Sequence, residues 1–460
     1  MLNYDLAIIG AGPGGYVAAE RAGAAGLKVV LFEKKSLGGV CLNEGCIPTK
    51  TLLYGAKVFN YAKTGEHYGV HADNPSFDYA AFLKRKDKVV KKLTGGVRLA
   101  MKNNSVEVVY SAATITGKSS EGIGIEADGQ DYMCRNLLIC TGSEAVVPPI
   151  PGLEQAGDTI VTNREILALE NRPDELVVIG GGVIGMEFAA FFNALGTKVT
   201  VVEMLPKILG PMDAETSRLL QDVYAKRGVD FRLNCRVTAI EGNTVVFEDA
   251  EGNVNRVGGD RILVSVGRRA NLDGFGLEKL GVELALSRSG KPCGIKVDGH
   301  MRTNVPGVYA AGDVTGFSML AHTASREGEV AVNDILGIED TMSYKAIPGV
   351  VYTNPEVAGV GLTEEEASCR GIDFKVLKLP MAYSGRFVAE NEGGTGLCKM
   401  IVGPGNEVLG LHMAGNPCSE ILQTGCLAIE NNMTVNELKK IVFPHPTVSE
   451  IIRETAFQLD

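Results

Sequence analysis

Cysteine is scarce in this chain, ten in 460 residues, far too few for a disulfide scaffold. A cytoplasmic, reducing location is therefore expected. There, two closely spaced cysteines are more often catalytic or metal-binding than structural. Long apolar runs are also missing: none reaches the ~18 residues of a membrane span. The opening MLNYDLAIIGAG lacks the cationic start and long apolar stretch of a signal peptide. Cations are outnumbered, 45 Lys and Arg against 55 Asp and Glu, for a net charge of -10 and a pI near 5.3. That balance excludes nucleic acid as the main partner, because phosphate binding needs clustered Lys and Arg. The one basic run, Lys84 to Lys92, has helical spacing and reads as a solvated helix face. What the chain does have is length for about three or four domains and 57 glycines, suited to tight turns and close backbone approaches.

Two segments repeat without a gap. Leu6 to Glu33 and Leu176 to Glu203 each read as buried strand, Gly-rich turn, helix, Gly break (Gly26, Gly196) and a second strand ending in Glu. Each carries G-x-G-x-x-G, first as Gly10, Gly12 and Gly15, then as Gly180, Gly182 and Gly185. In such a turn the first Gly permits the bend, the second leaves room for a pyrophosphate, and the third lets helix and strand pack closely. The helix N-terminus then offers N–H groups and a positive dipole end to the anion. Glu33 and Glu203 stand where a carboxylate accepts hydrogen bonds from ribose hydroxyls. Glu203 would repel a ribose 2′-phosphate, and the following MLPKIL has no Arg to receive one, so the second fold is expected to take NAD rather than NADP. Leu137 to Ser143 reads as a strand returning to the first fold, and Leu263 to Gly267 occupies the same place in the second. Thr141, Gly142 and Gly267 are accordingly expected at the cofactor sites. Residues 77–103 read as a helix. Pro148, Pro149 and Pro151 mark a domain boundary, and past residue 345 short strands and helices suggest a separate α+β domain.

Gly38 to Lys50 reads GGVCLNEGCIPTK. Five residues apart on a regular helix, Cys41 and Cys46 would have Cα atoms more than ~8 Å apart, too far for a disulfide, which usually needs less than ~7 Å. If they pair, the backbone between them must be irregular, and Gly45 makes that easy. Pro48 suits a first helical turn, placing Cys46 near a helix N-terminus that favours thiolate. A metal half-site and two unrelated buried thiols are the alternatives. Near the end, His445 lies between two prolines with Glu450 five residues on. A His held by a carboxylate is a natural general base near neutral pH.

Taken with GAGPGG, this cysteine motif resembles the pyridine nucleotide–disulfide oxidoreductase family, over essentially the whole chain. The resemblance implies an α/β protein of two Rossmann-like dinucleotide-binding domains plus a C-terminal α+β dimerisation domain. Its expected parts are 1–145 (FAD-binding), 146–269 (NAD-binding), 270–345 (FAD-binding and central) and 346–460 (dimerisation). It implies FAD and NAD as cofactors and a homodimer. Cys41 is the sulfur that exchanges with a dithiol substrate, and Cys46 the one against the flavin. Lys50 stands beside the flavin, with Glu187 as its carboxylate partner. Asp313, in AAGDV, faces the ribityl chain, and Met319, Leu320, Ala321 and His322 open a helix toward the flavin ring. His445 and Glu450 come from the opposite subunit. The implied reaction is oxidation of dihydrolipoamide with reduction of NAD, the lipoyl group arriving on a separate carrier protein. The runner-up is an NADPH-dependent glutathione-type disulfide reductase, which Glu203 opposes. A mercuric reductase would need a vicinal Cys pair near Leu459–Asp460, a soluble transhydrogenase would not need Cys41 and Cys46, and a nucleotide-binding regulatory module would need neither those sulfurs nor His445. Thr49 departs slightly from the pattern, standing where such enzymes usually have Ser; both residues carry a hydroxyl.

Overall fold

Strands that read as unbroken apolar runs lie in parallel sheets covered on both faces, as such sheets require. A computed structural model describes residues 2–459; Met1 and Asp460, the outer limits of the expected domains, lie outside the described residues. By internal packing the chain falls into two units. The first comprises Met1–Thr51, Lys84–Val146 and Gly267–Ser343, and the second Leu52–Leu83, Val147–Val266 and Tyr344–Asp460.

In the first unit, strands Glu107–Val109, Val29–Phe32, Leu2–Ile9 and Gln130–Ile139 stand in that order, all parallel. Val308–Ala310 pairs with the far end of Gln130–Ile139. Its near end continues into an antiparallel meander with Gly122–Ala127 and Ala113–Ser119. Leu6, Ala7, Ile8, Val30, Leu31, Leu137, Leu138 and Ile139 are all fully buried. Helix Pro13–Ala24 packs on helix Ala321–Ile335 through small residues: a Cβ at Gly328 would fall 2.5 Å from the Gly14 carbonyl oxygen. The returning strand ends at Ile139, earlier than the expected Ser143, because the chain turns at Gly142 (φ +70°) before a new strand, Ser143–Ala145.

The second unit repeats the parallel arrangement, with strands Asp230–Arg232, Lys198–Val202, Glu175–Ile179, Arg261–Val264 and Ile160–Val161 in order. Here too the closing strand stops short of the expected Gly267, whose φ of +120° suits glycine and not a strand. Helix Val183–Ala194 is apolar apart from Glu187 and Asn193 and buries Phe188, Phe191 and Phe192, as a helix inside a core should. Residues 344–460 contribute an antiparallel sheet in the order Gly349–Val351, Val357–Gly361, Val408–Ala414, Leu397–Val402 and Lys375–Pro380. That sheet is bolted to the nucleotide fold by Lys399. Only 2% exposed, its Nζ donates to the Asp213 carboxylate at 2.8 Å and also pairs with Glu364 and Glu215. Asp213 is itself the N-cap of helix Ala214–Lys226, accepting from the Glu215 and Thr216 N–H groups. The helix expected over 77–103 is Tyr79–Asn103, with the Asp78 carboxylate accepting from Ala81 N–H at its start.

Candidate functional site

The two Gly-rich turns have the same geometry. Gly10 and Gly180 hold φ of +101° and +102°. A Cβ there would fall 2.2 Å from the Cys140 carbonyl oxygen and 2.5 Å from that of Ser265. A Cβ at Gly15 or Gly185 would fall 1.9 or 2.1 Å from the carbonyl oxygen of the first glycine of its own turn. Gly12 and Gly182 differ: nothing lies within 4 Å of a Cβ at either. Both are helix N-caps with no side-chain cap bond. The tight positions thus fix turn and packing, while the middle ones leave open space before uncapped helix ends. That donor set fits a pyrophosphate.

The two acids are also held alike. Glu33 accepts from Ala11 N–H at 2.9 Å and from Lys35 N–H at 2.7 Å. Glu203 accepts from Gly181 N–H at 2.6 Å and from Leu205 N–H at 2.7 Å. Each carboxylate is locked by backbone beside its Gly turn, the place where a ribose diol would bond it.

Helix Gly39–Glu44 ends at Gly45 (φ −146°, ψ −110°), and helix Cys46–Thr64 begins at the next residue. The backbone between the cysteines is therefore broken where Gly45 was expected to break it. Cys41 and Cys46 are thiols in this structure, close enough for each sulfur to act on the other. Cys46 opens the new helix, and Pro48 lies in its first turn. The Cys46 sulfur beside it, then burial, push the Cys41 thiol well up, while the Lys50 charge pulls the other way. In the reduced pair Cys41 therefore holds its proton, and Cys46 stands at the N-terminus of the new helix. The segment lies directly on the first nucleotide turn: Gly38 N–H donates to the Ala11 carbonyl at 2.8 Å, and a Cβ at Gly39 would fall 2.6 Å from Gly12 Cα.

Asp313 begins a short 3-10 turn after Gly312 (φ +81°). Its carboxylate accepts from Ser143 Oγ at 2.5 Å, and the Arg268 guanidinium binds that same hydroxyl at 2.7 Å. Thr141 is tied to Asn271 twice, through Oγ at 2.9 Å and through its carbonyl at 3.0 Å. Helix Ala321–Ile335 starts after Leu320 with no side-chain cap; Met319 and Ala321 are half-buried, and Leu320 and His322 exposed. Sequence reasoning missed Ser143, Arg268 and Glu327. The last is fully buried and accepts from Gly312 N–H at 2.6 Å. Glu327 shares the helical AHTASREGEVAV segment with Glu329, so nothing in the sequence singled it out, and Ser143 and Arg268 carried no signal either. Tyr16 was missed too, and its phenol is raised by burial and then by Cys41 and Cys46.

In the second unit, Glu187 is 2% exposed and accepts from Tyr352 N–H at 3.1 Å. His445 Nδ1 and Glu450 are joined at 3.0 Å, the His side chain 80% exposed. Glu450 also accepts from Thr447 N–H, and that bond and then His445 hold its carboxyl below the usual range. Among the described residues no helix is long and apolar enough to cross a membrane, and no cluster of three or more His, Cys, Asp or Glu is fit to hold a metal ion.

Residues 4–328 match the model of the pyridine nucleotide-disulphide oxidoreductase family, and 347–456 that of its dimerisation domain. A dihydrolipoyl dehydrogenase of Thermus scotoductus is 40% identical, covering 99% of this chain and 97% of the relative. One from Bacillus subtilis is 38% identical, covering 99% and 96%. The crystal structure of LpdA from Mycobacterium tuberculosis is similar, with a TM-score of 0.89 at 26% identity over 100% of both chains. The HOCl-induced flavoprotein disulfide reductase RclA from Escherichia coli matches with 0.85 at 26%, over 99% of this chain and 100% of that one. With both models matched and relatives this similar along nearly their whole length, the chain belongs to the pyridine nucleotide-disulphide oxidoreductase family, whose members use FAD and NAD.

Proposed function

We propose that this protein oxidises protein-bound dihydrolipoamide to lipoamide and reduces NAD to NADH, through the Cys41–Cys46 pair and FAD. The observation that carries the reading is the pair itself: two neighbouring thiols on either side of a helix break, set on the first nucleotide turn. The relatives' name, dihydrolipoyl dehydrogenase, supports the choice of dithiol. Glu203 supports NAD over NADP, its carboxylate standing where a 2′-phosphate would be repelled. In this reading residues 1–145 and 270–345 form the FAD part, 146–269 the NAD part and 346–460 the dimerisation part. The protein works as a homodimer in the cytoplasm, and its partner is a lipoylated carrier.

The catalytic cycle starts with the pair as a disulfide. His445, oriented by Glu450, takes a proton from one substrate thiol. The resulting thiolate attacks Cys41 Sγ, the Cys41–Cys46 bond breaks, and Cys46 leaves as thiolate. The second substrate thiol then attacks the mixed disulfide, lipoamide departs, and Cys41 leaves as a thiol, taking the proton that the second substrate thiol gives up. Two electrons have passed from the dithiol to the protein sulfurs. Bound FAD supplies the two-electron relay from the sulfurs to NAD. Lys50, Glu187, Asp313 and the helix opened by Met319 to His322 hold the flavin's surroundings, as the resemblance implies.

Steady-state turnover decides. Dihydrolipoamide with NAD should outpace NADPH with oxidised glutathione by orders of magnitude, and the opposite order would sink the proposal. His445→Ala should cut dithiol oxidation by about a hundredfold or more, the scale of a lost general base. It should spare NADH oxidation by an artificial acceptor.

A further inference from the structure

Helix Tyr79–Asn103 carries eight cations and one anion, Asp87, in a protein of net charge -10. Lys84, Lys88, Lys91, Arg98 and Lys102 follow at spacings of 4, 3, 7 and 4 residues, which puts them within about 40° of one line along the helix. The line is about 27 Å long. Val89, Val97, Ala100 and Met101, on the other side, are half-buried or buried. All five cations are exposed, and among the described residues none of the five forms an ion pair.

A merely solvated face would mix its signs. Here like charges stand four residues apart at 84 and 88, 88 and 92, and 98 and 102, an arrangement that weakens a helix. Gly95 and Gly96 weaken it further, and nothing lies within 4 Å of a Cβ at either. Leu99, 57% exposed, sits beside the line. Self-repulsion, bare backbone and an exposed apolar side chain are together what an anionic protein surface would relieve. The helix also flanks the redox pair's own helix: Arg85 Nη1 donates to the Thr51 carbonyl at 3.2 Å, five residues beyond Cys46.

We infer that this cationic line is the docking face for an acidic protein domain that bears the dithiol on a flexible arm. The inference rests on the function proposed above and adds the chemistry of the carrier. A carrier must arrive and leave at every turnover. Exposed charges favour that, because they raise the arrival rate and are screened rather than locked.

The test uses two fluorescently labelled dihydrolipoyl-lysine peptides, one flanked by Asp and Glu and the other by Asn and Gln. Both are oxidised by the FAD-loaded protein at saturating NAD. At low salt the acidic peptide should show a kcat/KM about tenfold higher, and the gap should close in high salt. The triple variant Lys88→Glu, Lys91→Glu, Arg98→Glu should invert the preference while turnover of free dihydrolipoamide stays unchanged; Lys84→Gln with Lys102→Gln should halve the gap or better. Equal rates for the two peptides at low salt, or a preference that survives the triple variant, would overturn the inference. Retention on anionic lipid vesicles with equal peptide rates would overturn it in favour of a membrane surface. Failure of the wild type to oxidise free dihydrolipoamide would strike the proposed function alone, and salt-dependent anisotropy of the two peptides would still decide the docking face.

Discussion

Six glycines share one motif, yet they do different jobs, and the difference is measurable. Gly10, Gly15, Gly180 and Gly185 press against backbone oxygens, so any side chain there must displace main chain. Gly12 and Gly182 have ordinary φ values of −71° and −70° and open space ahead. An alanine at either is compatible with the fold and intrudes only on a ligand. Gly12→Ala should therefore fold, with a thermal midpoint near that of the wild-type apoprotein, and retain little FAD. Gly182→Ala should keep its FAD and raise the KM for NAD by about tenfold, a loss on the scale of a kilocalorie or so at a charged hydrogen-bonding site. Absorbance per folded chain checks the first and steady-state kinetics the second. A Gly12→Ala protein that stays fully yellow would mean that the open space is not where the pyrophosphate lies. This part of the site was legible beforehand, because the motif's mechanism needs only local backbone and one ligand dimension. Asp313 was singled out in the sequence, but its setting was not. Ser143 and Arg268, which fix its carboxylate, come from strands 125 residues apart in sequence, and no local pattern joins them.

Among the elements, helix Ala214–Lys226 and strand Leu397–Val402 are joined by a buried ion pair, Asp213 with Lys399. Burial alone would raise the Asp213 carboxyl, but Lys399 and the Thr216 N–H outweigh it and hold it below its ordinary 3.8. Burial likewise opposes the Lys399 charge, and Asp213 and Glu364 outweigh it and hold the ammonium above 10.5. The signs follow. The lowered acid contributes stability above about pH 4 that is lost as pH falls through its folded value, and the raised base contributes stability that is lost on the alkaline side. Lys399→Met removes one partner and leaves a buried, uncompensated carboxylate, a loss of about 3–5 kcal/mol. Denaturant unfolding of the holoprotein should show that deficit at neutral pH and a smaller one as pH falls toward the carboxylate range, where protonating Asp213 removes the orphaned charge. A deficit independent of pH would mean that lost packing, not lost charge pairing, is responsible. Nothing in the sequence announced this pair. Its members are 186 residues apart, and Lys399 sits in LCKMIV, where alternation would place it on a solvent face. The strands and helices themselves were legible because their apolar periodicity is strong. Their ends were not: the returning strands stop at Ile139 and Val264 where glycine conformations, not hydrophobicity, decide.

At the scale of the whole molecule the decisive issue is which chain supplies the proposed base, His445. His445 is held by Glu450 and 80% exposed on its own chain, and residues 347–456 match a dimerisation domain. A general base that must meet a thiol while water is kept away gains from being covered by a second subunit. Hybrid dimers test this directly. Cys41→Ser and His445→Ala homodimers should each be nearly inactive with dihydrolipoamide. Refolded together and separated by distinct affinity tags, the mixed dimer has two sites. If each site combines the cysteine pair of one chain with the His of the other, one site carries both lesions and the other carries none, so activity per dimer should return to about half of wild type. If each chain supplies its own His, every site in the hybrid carries one lesion and activity stays at the level of the parents. Including Cys41→Ser, His445→Ala double-variant chains mixed with wild type closes the argument. Under the shared arrangement each site of that hybrid carries one lesion and is nearly dead, whereas under the self-contained arrangement the wild-type chain keeps its full site and half the activity survives. The two hybrids thus give opposite answers, and an inactive first hybrid beside a half-active second one would return His445 to the chain that bears it.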